Sequence, residues 1–315
     1  MKTYAPNYYE KFRCIAGECR HSCCIGWDVY IDDDTLEKYA SMGGELGKRV
    51  RSSLCEKDDG ACFAMCADGR CPFLNERGLC DIILEKGEES ISEICTEHPR
   101  FYNFFSDRTE VGLGLSCEES ARIILSQKEK TELVVIDEDE AEEDELWEEE
   151  AFVLRRRETL FRILQEKSKS IGERAKKMLS VANAYFPRKS SCEWASILQG
   201  LEMLDPEWKE VLGTLCTLCV DVDVREYDTA FENLLIYFVY RHASAAADEA
   251  DFAARISFAY LGFSIIRALC EAKKSSSGEC SFEDLCDFAR RYSAEIEYSP
   301  DNTQALLDIF EQQKS

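Results

Sequence analysis

The sequence predicts a mainly α-helical protein, in which an irregular, cysteine-rich N-terminal metal-binding domain precedes an all-α C-terminal helical domain. Eleven of the 17 cysteines lie between Cys14 and Cys117. Apolar residues recur at helical three- and four-residue steps mainly after that segment. Between the two parts, eleven of the fourteen residues of 137–150 are Asp or Glu, a pattern typical of a solvated linker. We therefore expect a cysteine-rich domain at 1–126, an acidic linker at 127–150 and an all-helical domain at 151–315.

Charge and composition exclude several classes of partner. The 315 residues carry a net charge of −24, which argues against a nucleic-acid-binding surface and against a polybasic membrane anchor. The N-terminus has no apolar secretory segment, and the apolar stretch 252–270 is interrupted by Arg255 and Arg267, so it predicts a buried helix. We expect a cytoplasmic protein with neither nucleic acid nor membrane as partner. These observations do not exclude a basic protein partner. For such a partner, the alternative to a solvated linker is that the acidic run 137–150 is its docking surface.

Start and stop signals predict the elements in order. Helical periodicity is weak before Leu84, and 133–136 is the best strand candidate. A helical pattern from Leu160 to Ala182 ends before Pro187. Capping signals predict the starts of later helices at Ser190 with Glu193, Asp205-Pro206, Ser281 with Asp284, and Ser299-Pro300. Apolar runs predict buried helices at 231–242 and 251–273.

The clustered cysteines predict a metal centre. Reduced thiols are soft ligands suited to zinc or to iron–sulfur clusters, and a cytosolic cysteine cluster indicates metal binding more than disulfides. The segment lacks the repeated C-x2-C pairs of simple zinc sites, which favours an iron–sulfur cluster, 4Fe–4S above all, with zinc as the alternative. The adjacent Cys23 and Cys24 suit two sites, or one ligand and one packed thiol. The eight candidate ligands are Cys14, Cys19, Cys23, Cys24, Cys71, Cys80, Cys95 and Cys117.

Other cysteines rank lower as ligands. Cys55, Cys62 and Cys66 lie near the cluster, in a segment that predicts a packed strand or turn. Cys216 and Cys219 form a C-x-x-C pattern inside an apolar helical run, and buried core thiols are favoured there over a redox pair.

Two sets of motifs resemble a known family. The first is the run Phe12-x-Cys14, Cys19, Cys23-Cys24-x-Gly26-Trp27-x-Val29-x-Ile31-Asp32, which is similar to the cysteine-cluster proteins described as zinc- or iron-chelating. The second continues it with Cys71-Pro72-Phe73-Leu74-Asn75, Leu79-Cys80-x-Ile82, Cys95 with Pro99-Arg100, Leu115-Ser116-Cys117, and the segment 232–241. Together they resemble the FliB-type flagellin lysine N-methylases.

The resemblance implies methyl transfer from S-adenosylmethionine to a lysine ε-amine of flagellin, by an enzyme that holds an iron–sulfur cluster. The sequence does not contain the C-x3-C-x2-C pattern of radical S-adenosylmethionine enzymes, so a polar displacement is the natural chemistry. Because a lysine amine must be neutral to attack, the site must desolvate it or supply a base. The alternatives are a non-catalytic zinc-binding interaction module and an iron–sulfur redox protein.

Candidate site residues lie near these motifs. Asp28, Asp32, Tyr30, Glu232 and Tyr240 are candidate catalytic helpers, and the alternative for each is a helix cap, a surface carboxylate or a core tyrosine. Trp27 and Arg100 are candidate cofactor-binding residues. Trp27 could instead cover the cluster, and Arg100 could balance the negative charge of the cluster.

Overall fold

The computed structural model describes residues 1–57, 60–138, 145–217 and 222–311. The chain divides into two compact units, one made of Met1–Phe12 with Phe101–Ser315 and the other of Arg13–Arg100. The units do not follow the expected boundary at residue 126. Residues 1–12 and 101–126 belong to the helical unit because strands in both segments pair in one sheet.

In chain order, the strands of the described residues are β1 (Lys2–Pro6), β2 (Leu54–Lys57), β3 (Gly60–Phe63), β4 (Arg100–Phe104), β5 (Arg108–Leu113) and β6 (Leu133–Glu138). The helices are α1 (Asp33–Ser41), α2 (Gly44–Ser53), α3 (Asp81–Lys86), α4 (Glu93–Glu97), α5 (Glu118–Leu125), α6 (Glu148–Leu164), α7 (Ile171–Val181), α8 (Ser191–Leu198), α9 (Pro206–Gly213), α10 (Asp228–Ala243), α11 (Glu249–Ser277), α12 (Phe282–Tyr292) and α13 (Pro300–Glu311). A short π-helix, Ser293–Glu297, follows α12.

A four-stranded mixed sheet lies in the larger unit, with strand order β4-β5-β1-β6. The central strand β1 pairs in parallel with β5 and antiparallel with β6, so Lys2 lies opposite both Arg108 and Glu138. The strand expected at 133–136 is confirmed, whereas the irregular structure expected for 1–12 and 101–113 is wrong. Within β5, a Cβ atom at Gly112 would lie 2.3 Å from the Phe101 ring, so only glycine permits this approach.

Helices α6 to α13 confirm the mainly α-helical prediction. Capping boxes form at Ser190 and at Ser281, and the Asp205 side chain caps α9 with Pro206 in its first turn. Helix α8 ends at Leu198, before Gly200. The strand β6 and the first turn of α6 fall inside the expected acidic linker. The core of the unit is built largely on α10 and α11.

Helix α11 is long and apolar enough to cross a membrane by length and composition alone. However, 78% of its most apolar window is buried inside the protein, as in the core helix of a soluble protein. The expectation of a buried helix at 251–273 is therefore confirmed.

The smaller unit, Arg13–Arg100, has its own core. Val29, Tyr39, Phe63 and Phe73 are buried there, and the Phe63 and Phe73 rings lie 4.8 Å apart. The β2–β3 hairpin packs beside α1 and α2, and the Cys-bearing loops close around this core.

Candidate functional site

Four of the eight candidate ligands pack against one core of the smaller unit. Cys71 is buried in that core, and Cys24, Cys80 and Cys95 pack against it. The backbone holds two of these segments together, because the Cys71 N–H donates to the Cys24 carbonyl at 2.8 Å. Cys80 precedes helix α3 as its N-cap, and Cys95 lies within α4. We call these four residues the thiol group.

The members of the thiol group influence one another electrostatically. Burial raises the pKa of Cys71 to about 12 and that of Cys95 to about 11, and the charges of Cys24 and Cys80 add to both shifts. A hydrogen bond from the neighbouring Cys23 thiol instead lowers the pKa of Cys24 to about 6. One thiol of the group therefore favours the thiolate form that metal ligation requires.

Aromatic rings adjoin the thiol group. The Trp27 indole N–H donates to the Cys23 carbonyl, and its ring packs against the same core at 6.3 Å from the His98 ring. Burial lowers the pKa of His98 to about 4, so this imidazole is neutral at pH 7. Trp27 therefore packs against the core that carries the thiol group.

The donor set suits a thiolate-bound cluster by its chemistry and by its grouping in one core. Among the residues that the structure describes, no three His, Cys, Asp or Glu side chains are close enough together to hold one metal ion. The four thiols nevertheless lie near enough for their charges to interact.

The other four candidate ligands are not members of the thiol group. Cys14 and Cys23 are exposed and Cys19 is half-buried. Cys117 belongs to the larger unit, where it precedes α5 as its N-cap and packs against the main core. Of the lower-ranked cysteines, Cys55 and Cys62 face each other across the β2–β3 hairpin with their Sγ atoms 3.1 Å apart, and Cys66 is exposed.

The prediction of a buried core thiol at Cys216 is wrong. Cys216 is exposed and forms a disulfide with Cys192, for which the sequence indicated no partner. The bond forms because a short 3₁₀ turn after α9 carries Cys216 to the first turn of α8, a contact between two elements that local spacing cannot reveal. Cys219 lies outside the described residues.

The candidate catalytic residues of the smaller unit have structural partners. The Asp32 carboxylate caps α1 by accepting from the Thr35 N–H at 2.9 Å, and it also accepts from the Glu93 N–H at 2.9 Å. These bonds outweigh desolvation and lower its pKa, which makes it a poorer base. Asp28 pairs with Lys57 at 2.6 Å, and Tyr30 is half-buried opposite Cys62.

Arg100 and the two candidates on α10 also have partners. Arg100 donates to the Thr96 carbonyl at 3.0 Å. The Glu232 carboxylate is buried against the Arg174 guanidinium. The Tyr240 hydroxyl is buried and donates to the Val111 carbonyl at 3.1 Å. For Asp32 and Tyr240, the contacts match the helix-cap and core-tyrosine alternatives, whereas Glu232 is a buried ion-pair partner and matches none of the alternatives.

A polar cavity that the sequence did not indicate lies in the larger unit. It has a volume of about 390 Å³ and lies between β4, the end of α10, the end of the π-helix and the start of α13. Its polar lining includes Asn103, Arg241, His242, Arg255, Glu297 and Gln304. We call it the α10 pocket.

A buried carboxylate organises the α10 pocket. Glu297 Oε1 lies 2.5 Å from His242 Nε2 and 3.4 Å from Arg241 Nε, and Glu297 Oε2 accepts from the Tyr237 hydroxyl at 2.9 Å. The Arg241 guanidinium lies over two rings, 4.9 Å from the centroid of Phe101 and 4.8 Å from that of Tyr298. Three donors and two rings therefore hold one carboxylate and one guanidinium in place.

Burial and hydrogen bonding set the charges in this network. Burial alone would raise the pKa of Glu297, but Arg241 and His242 outweigh it and lower that pKa to about 2. Burial lowers the pKa of His242 in spite of the carboxylate beside it. At pH 7 the pocket thus presents an ionised carboxylate and a neutral imidazole whose Nε2–H donates to it. Nδ1 is then the nitrogen that can accept a proton.

Comparisons with known proteins match parts of the chain. The FliB lysine N-methylase C-terminal domain matches residues 221–315. A lysine-N-methylase of Salmonella typhimurium is 28% identical over 127 residues, which cover 38% of this chain and 32% of that protein. The flagellar biosynthetic protein FliU of Salmonella muenchen is 27% identical over 127 residues, or 38% of this chain and 75% of that protein. The match thus spans about a third of the first relative's length, and no solved structure matches the chain.

Proposed function

Because this chain belongs to the FliB family, we propose that it is a protein lysine N-methyltransferase that transfers a methyl group from S-adenosylmethionine to lysines of flagellin. Curated relatives named lysine-N-methylase and FliU support the activity and the flagellar substrate. We further propose that the enzyme acts in the cytoplasm, since the clustered cysteines of Arg13–Arg100, which form no disulfide within the described residues, suit a reducing compartment.

The α10 pocket is the observation that carries the proposal. The domain that matches the family contributes Arg241, His242 and Glu297 to this pocket, and its volume of about 390 Å³ lies within the range of small-molecule sites. Convergent polar groups around a buried, pKa-shifted carboxylate are the features by which a ligand or catalytic site is recognised.

The network suits the proton transfer that the reaction requires. A lysine side chain with a pKa near ~10.4 is an ammonium ion at pH 7, and it can attack the sulfonium methyl only after losing a proton. His242 Nδ1 is the proposed acceptor of that proton. Glu297, ionised and bonded to Nε2–H, holds the ring in the required tautomer and stabilises the imidazolium that forms. Stacking between Phe101 and Tyr298 leaves Arg241 positioned to contact a carboxylate of the methyl donor.

The thiol group is the proposed site of an iron–sulfur cluster. Cys24, Cys71, Cys80 and Cys95 would hold a 4Fe–4S cluster, and a hydrogen bond from the exposed Cys23 thiol supports the thiolate of Cys24. When bound, the cluster would cross-link the loops that carry its ligands and so stabilise a unit with a small core.

Two measurements on the full chain test these proposals. The first is anaerobic purification with iron, sulfide and zinc analysis and a visible spectrum. About four irons and four sulfides per chain with a broad absorption band support the cluster, whereas a colourless protein with one zinc contradicts it and favours a zinc-binding module. A reversible redox couple without methyl transfer would favour the redox protein.

The second measurement follows transfer of labelled methyl from S-adenosylmethionine to purified flagellin. The wild type should label lysine, and His242→Gln should lower the rate by about 10²-fold or more, as expected for loss of a general base. The rate of His242→Gln should depend steeply on pH, because it then relies on free lysine amine. Glu210→Gln, an exposed change in α9 outside the pocket, should leave the rate unchanged. Absence of label from every lysine of the wild-type reaction would contradict the proposed activity.

A further inference from the structure

Two cysteines outside the thiol group face each other across the β2–β3 hairpin. Cys55 on β2 lies directly opposite Cys62 on β3, and their Sγ atoms are 3.1 Å apart. Directly opposite residues of an antiparallel pair have Cα atoms roughly 4.5–5.5 Å apart, within the roughly 4.4–6.8 Å that disulfides span. The sulfur separation exceeds an S–S bond of about 2.05 Å by about 1 Å, so small side-chain rotations would join the two atoms without moving the strands.

Strand β3 is held on both sides, which keeps the two sulfurs in this arrangement. On one side it pairs with β2. On the other side, the Ile31 N–H donates to the Ala61 carbonyl at 2.9 Å. The Phe63 N–H donates to the Val29 carbonyl at 3.1 Å, and the Phe63 side chain is buried in the core of the smaller unit. Because β3 cannot turn Cys62 away without breaking these contacts, the two thiols stay positioned for a reaction with each other.

The two thiols differ in their exposure to solvent. Cys62 is fully buried, whereas Cys55 is half-buried. Burial, together with the hydrogen bond to Cys55, raises the pKa of Cys62 to about 11. Cys62 is therefore a shielded, protonated thiol at pH 7, and Cys55 is the sulfur of the pair that a reagent in solution can reach.

The surroundings of the pair favour a disulfide over a bound metal ion. A structural zinc ion takes four ligands, and within the described residues no third ligating side chain joins these two thiols. Besides Cys55, the charges that act most on Cys62 are those of Lys57 and Asp28, which pair with each other at 2.6 Å. The thiol group differs in this respect, because several of its cysteines influence one another.

We propose that Cys55 and Cys62 form a reversible redox site, which a low-molecular-weight disulfide such as glutathione disulfide oxidises to an intramolecular disulfide. The Cys55 thiolate attacks one sulfur of glutathione disulfide, forms a mixed disulfide and releases one glutathione. The Cys62 sulfur loses its proton to solvent, attacks Cys55 Sγ and displaces the second glutathione. Two protein thiols thus lose two electrons and two protons, which the two glutathione molecules carry away.

The capped form of Cys55 assists the second step. Once Cys55 is in the mixed disulfide, its thiol hydrogen bond and its charge no longer raise the pKa of Cys62, so the attacking thiolate forms more readily. Reduced glutathione reverses both steps. Disulfides of this transient, redox-sensing kind are the ones that occur in a reducing compartment, so the site is compatible with the proposed cytoplasmic location.

Oxidation of the full chain in glutathione buffers tests the proposal. Anaerobically purified protein is equilibrated at graded ratios of glutathione disulfide to glutathione, and its remaining thiols are blocked with N-ethylmaleimide. Trypsin separates Cys55 and Cys62 on peptides 52–57 and 58–70, so mass spectrometry detects the bond as a cross-link between the two peptides. We expect this cross-link to exceed the glutathione adduct of Cys55 by at least about tenfold, because the closing step is intramolecular. Excess reduced glutathione should restore both thiols.

Three variants identify the two sulfurs. Cys62→Ser removes the resolving thiol, so the glutathione adduct should persist at Cys55. Cys55→Ser removes the accessible thiol, so neither an adduct nor a cross-link should form at the buried Cys62. Cys66→Ser is the matched control, because Cys66 is exposed and lies on the same tryptic peptide as Cys62. This control should form the cross-link like the wild type.

Several results would overturn the inference. Absence of the cross-link at every glutathione ratio, or an adduct that persists at Cys55 in the wild type, would show that the two thiols do not close. Loss of the cross-link in Cys66→Ser would assign the bond to Cys66. A cross-link that excess reduced glutathione does not open would be a permanent structural disulfide. Since the assay contains neither methyl donor nor flagellin, its outcome is independent of the proposed methyl transfer.

Discussion

Replacing Glu297 by Gln tests whether the buried network of the α10 pocket is built around an ionised carboxylate. Glutamine keeps the shape of the side chain and removes its charge, which leaves the Arg241 guanidinium without a full counter-charge inside the protein. The pKa of Glu297 falls from its ordinary value of 4.5 to about 2 in the folded protein. At about 1.4 kcal/mol per pKa unit, this corresponds to a loss of about 3 kcal/mol of folding free energy at pH 7.

The known cost of breaking a buried ion pair gives a similar magnitude for the loss of folding free energy. Removing one partner of a buried ion pair costs about 3–5 kcal/mol, because the remaining charge stays buried and unpaired. Since about 1 kcal/mol shifts the unfolding midpoint by roughly 2–4 °C in a domain of this size, Glu297→Gln should lower the midpoint by roughly 6–12 °C. Glu145→Gln removes an exposed carboxylate and should stay within about 0.5 kcal/mol of the wild type.

The pH dependence of stability distinguishes loss of the Glu297 charge from a packing defect caused by the substitution. A carboxylate with a depressed folded pKa stabilises the protein fully above its unfolded pKa, and the stabilisation is lost as pH falls from about 4.5 towards about 2. Urea unfolding of the wild type and of Glu297→Gln should therefore differ by about 3 kcal/mol at pH 7, and the difference should narrow by about 1 kcal/mol at pH 3.5. A difference below about 1 kcal/mol at pH 7 refutes an ionised Glu297, and a difference that does not narrow assigns the loss to packing.

Three further predictions concern other parts of the protein. Gly112→Ala should destabilise it by about 1–3 kcal/mol in urea unfolding, because the new Cβ atom overlaps the Phe101 ring, and an unchanged stability would contradict this approach. Asp32→Ala should lower the free energy of unfolding by about 1–2 kcal/mol, because it removes the cap of α1. The folded fraction of this variant should still transfer methyl groups at the wild-type rate. Complete loss of transfer in a normally folded variant would restore Asp32 as a catalytic candidate. Cys71→Ser should remove most of the iron from anaerobically purified protein and Cys55→Ser should retain it, as measured by iron analysis, and equal iron in the two variants would rule out the thiol group as the cluster site.

Local chemistry explains which predictions from the sequence succeeded. The caps at Ser190, Asp205 and Ser281 form within three residues of the side chain that makes them, so a short window of sequence contains the whole interaction. The sheet was missed because its pairings are distant in the chain. Lys2 lies opposite Arg108 and Glu138, and strands of five or six residues offer little periodicity from which to predict them.

The same distinction between local and long-range contacts applies to the two candidate sites. Composition singled out the cysteine-rich segment, but not which thiols share a core: Cys24, Cys71, Cys80 and Cys95 are separated by up to 71 positions and meet because hydrogen-bonded loops fold around that core. No pattern in the sequence predicted the α10 pocket. Tyr237, Arg241 and His242 sit in a helix that looks like ordinary core, and their partner Glu297 follows 55 residues after His242 at the end of a π-helix. A π-turn at a functional site is a recurrent feature, but backbone geometry reveals it and residue type does not.

The sequence by itself determined the mainly helical class, most helix starts, the acidic balance and the cysteine-rich segment. Each of these depends on composition or on contacts between residues a few positions apart. Only the tertiary structure decided that residues 1–12 and 101–126 join the helical unit, that Cys192 bonds to Cys216, and that Glu297 meets His242. Those outcomes depend on hydrogen bonds and burial between distant segments. They form only when the whole core packs, because burial outweighs the entropy of closing the long loops between them.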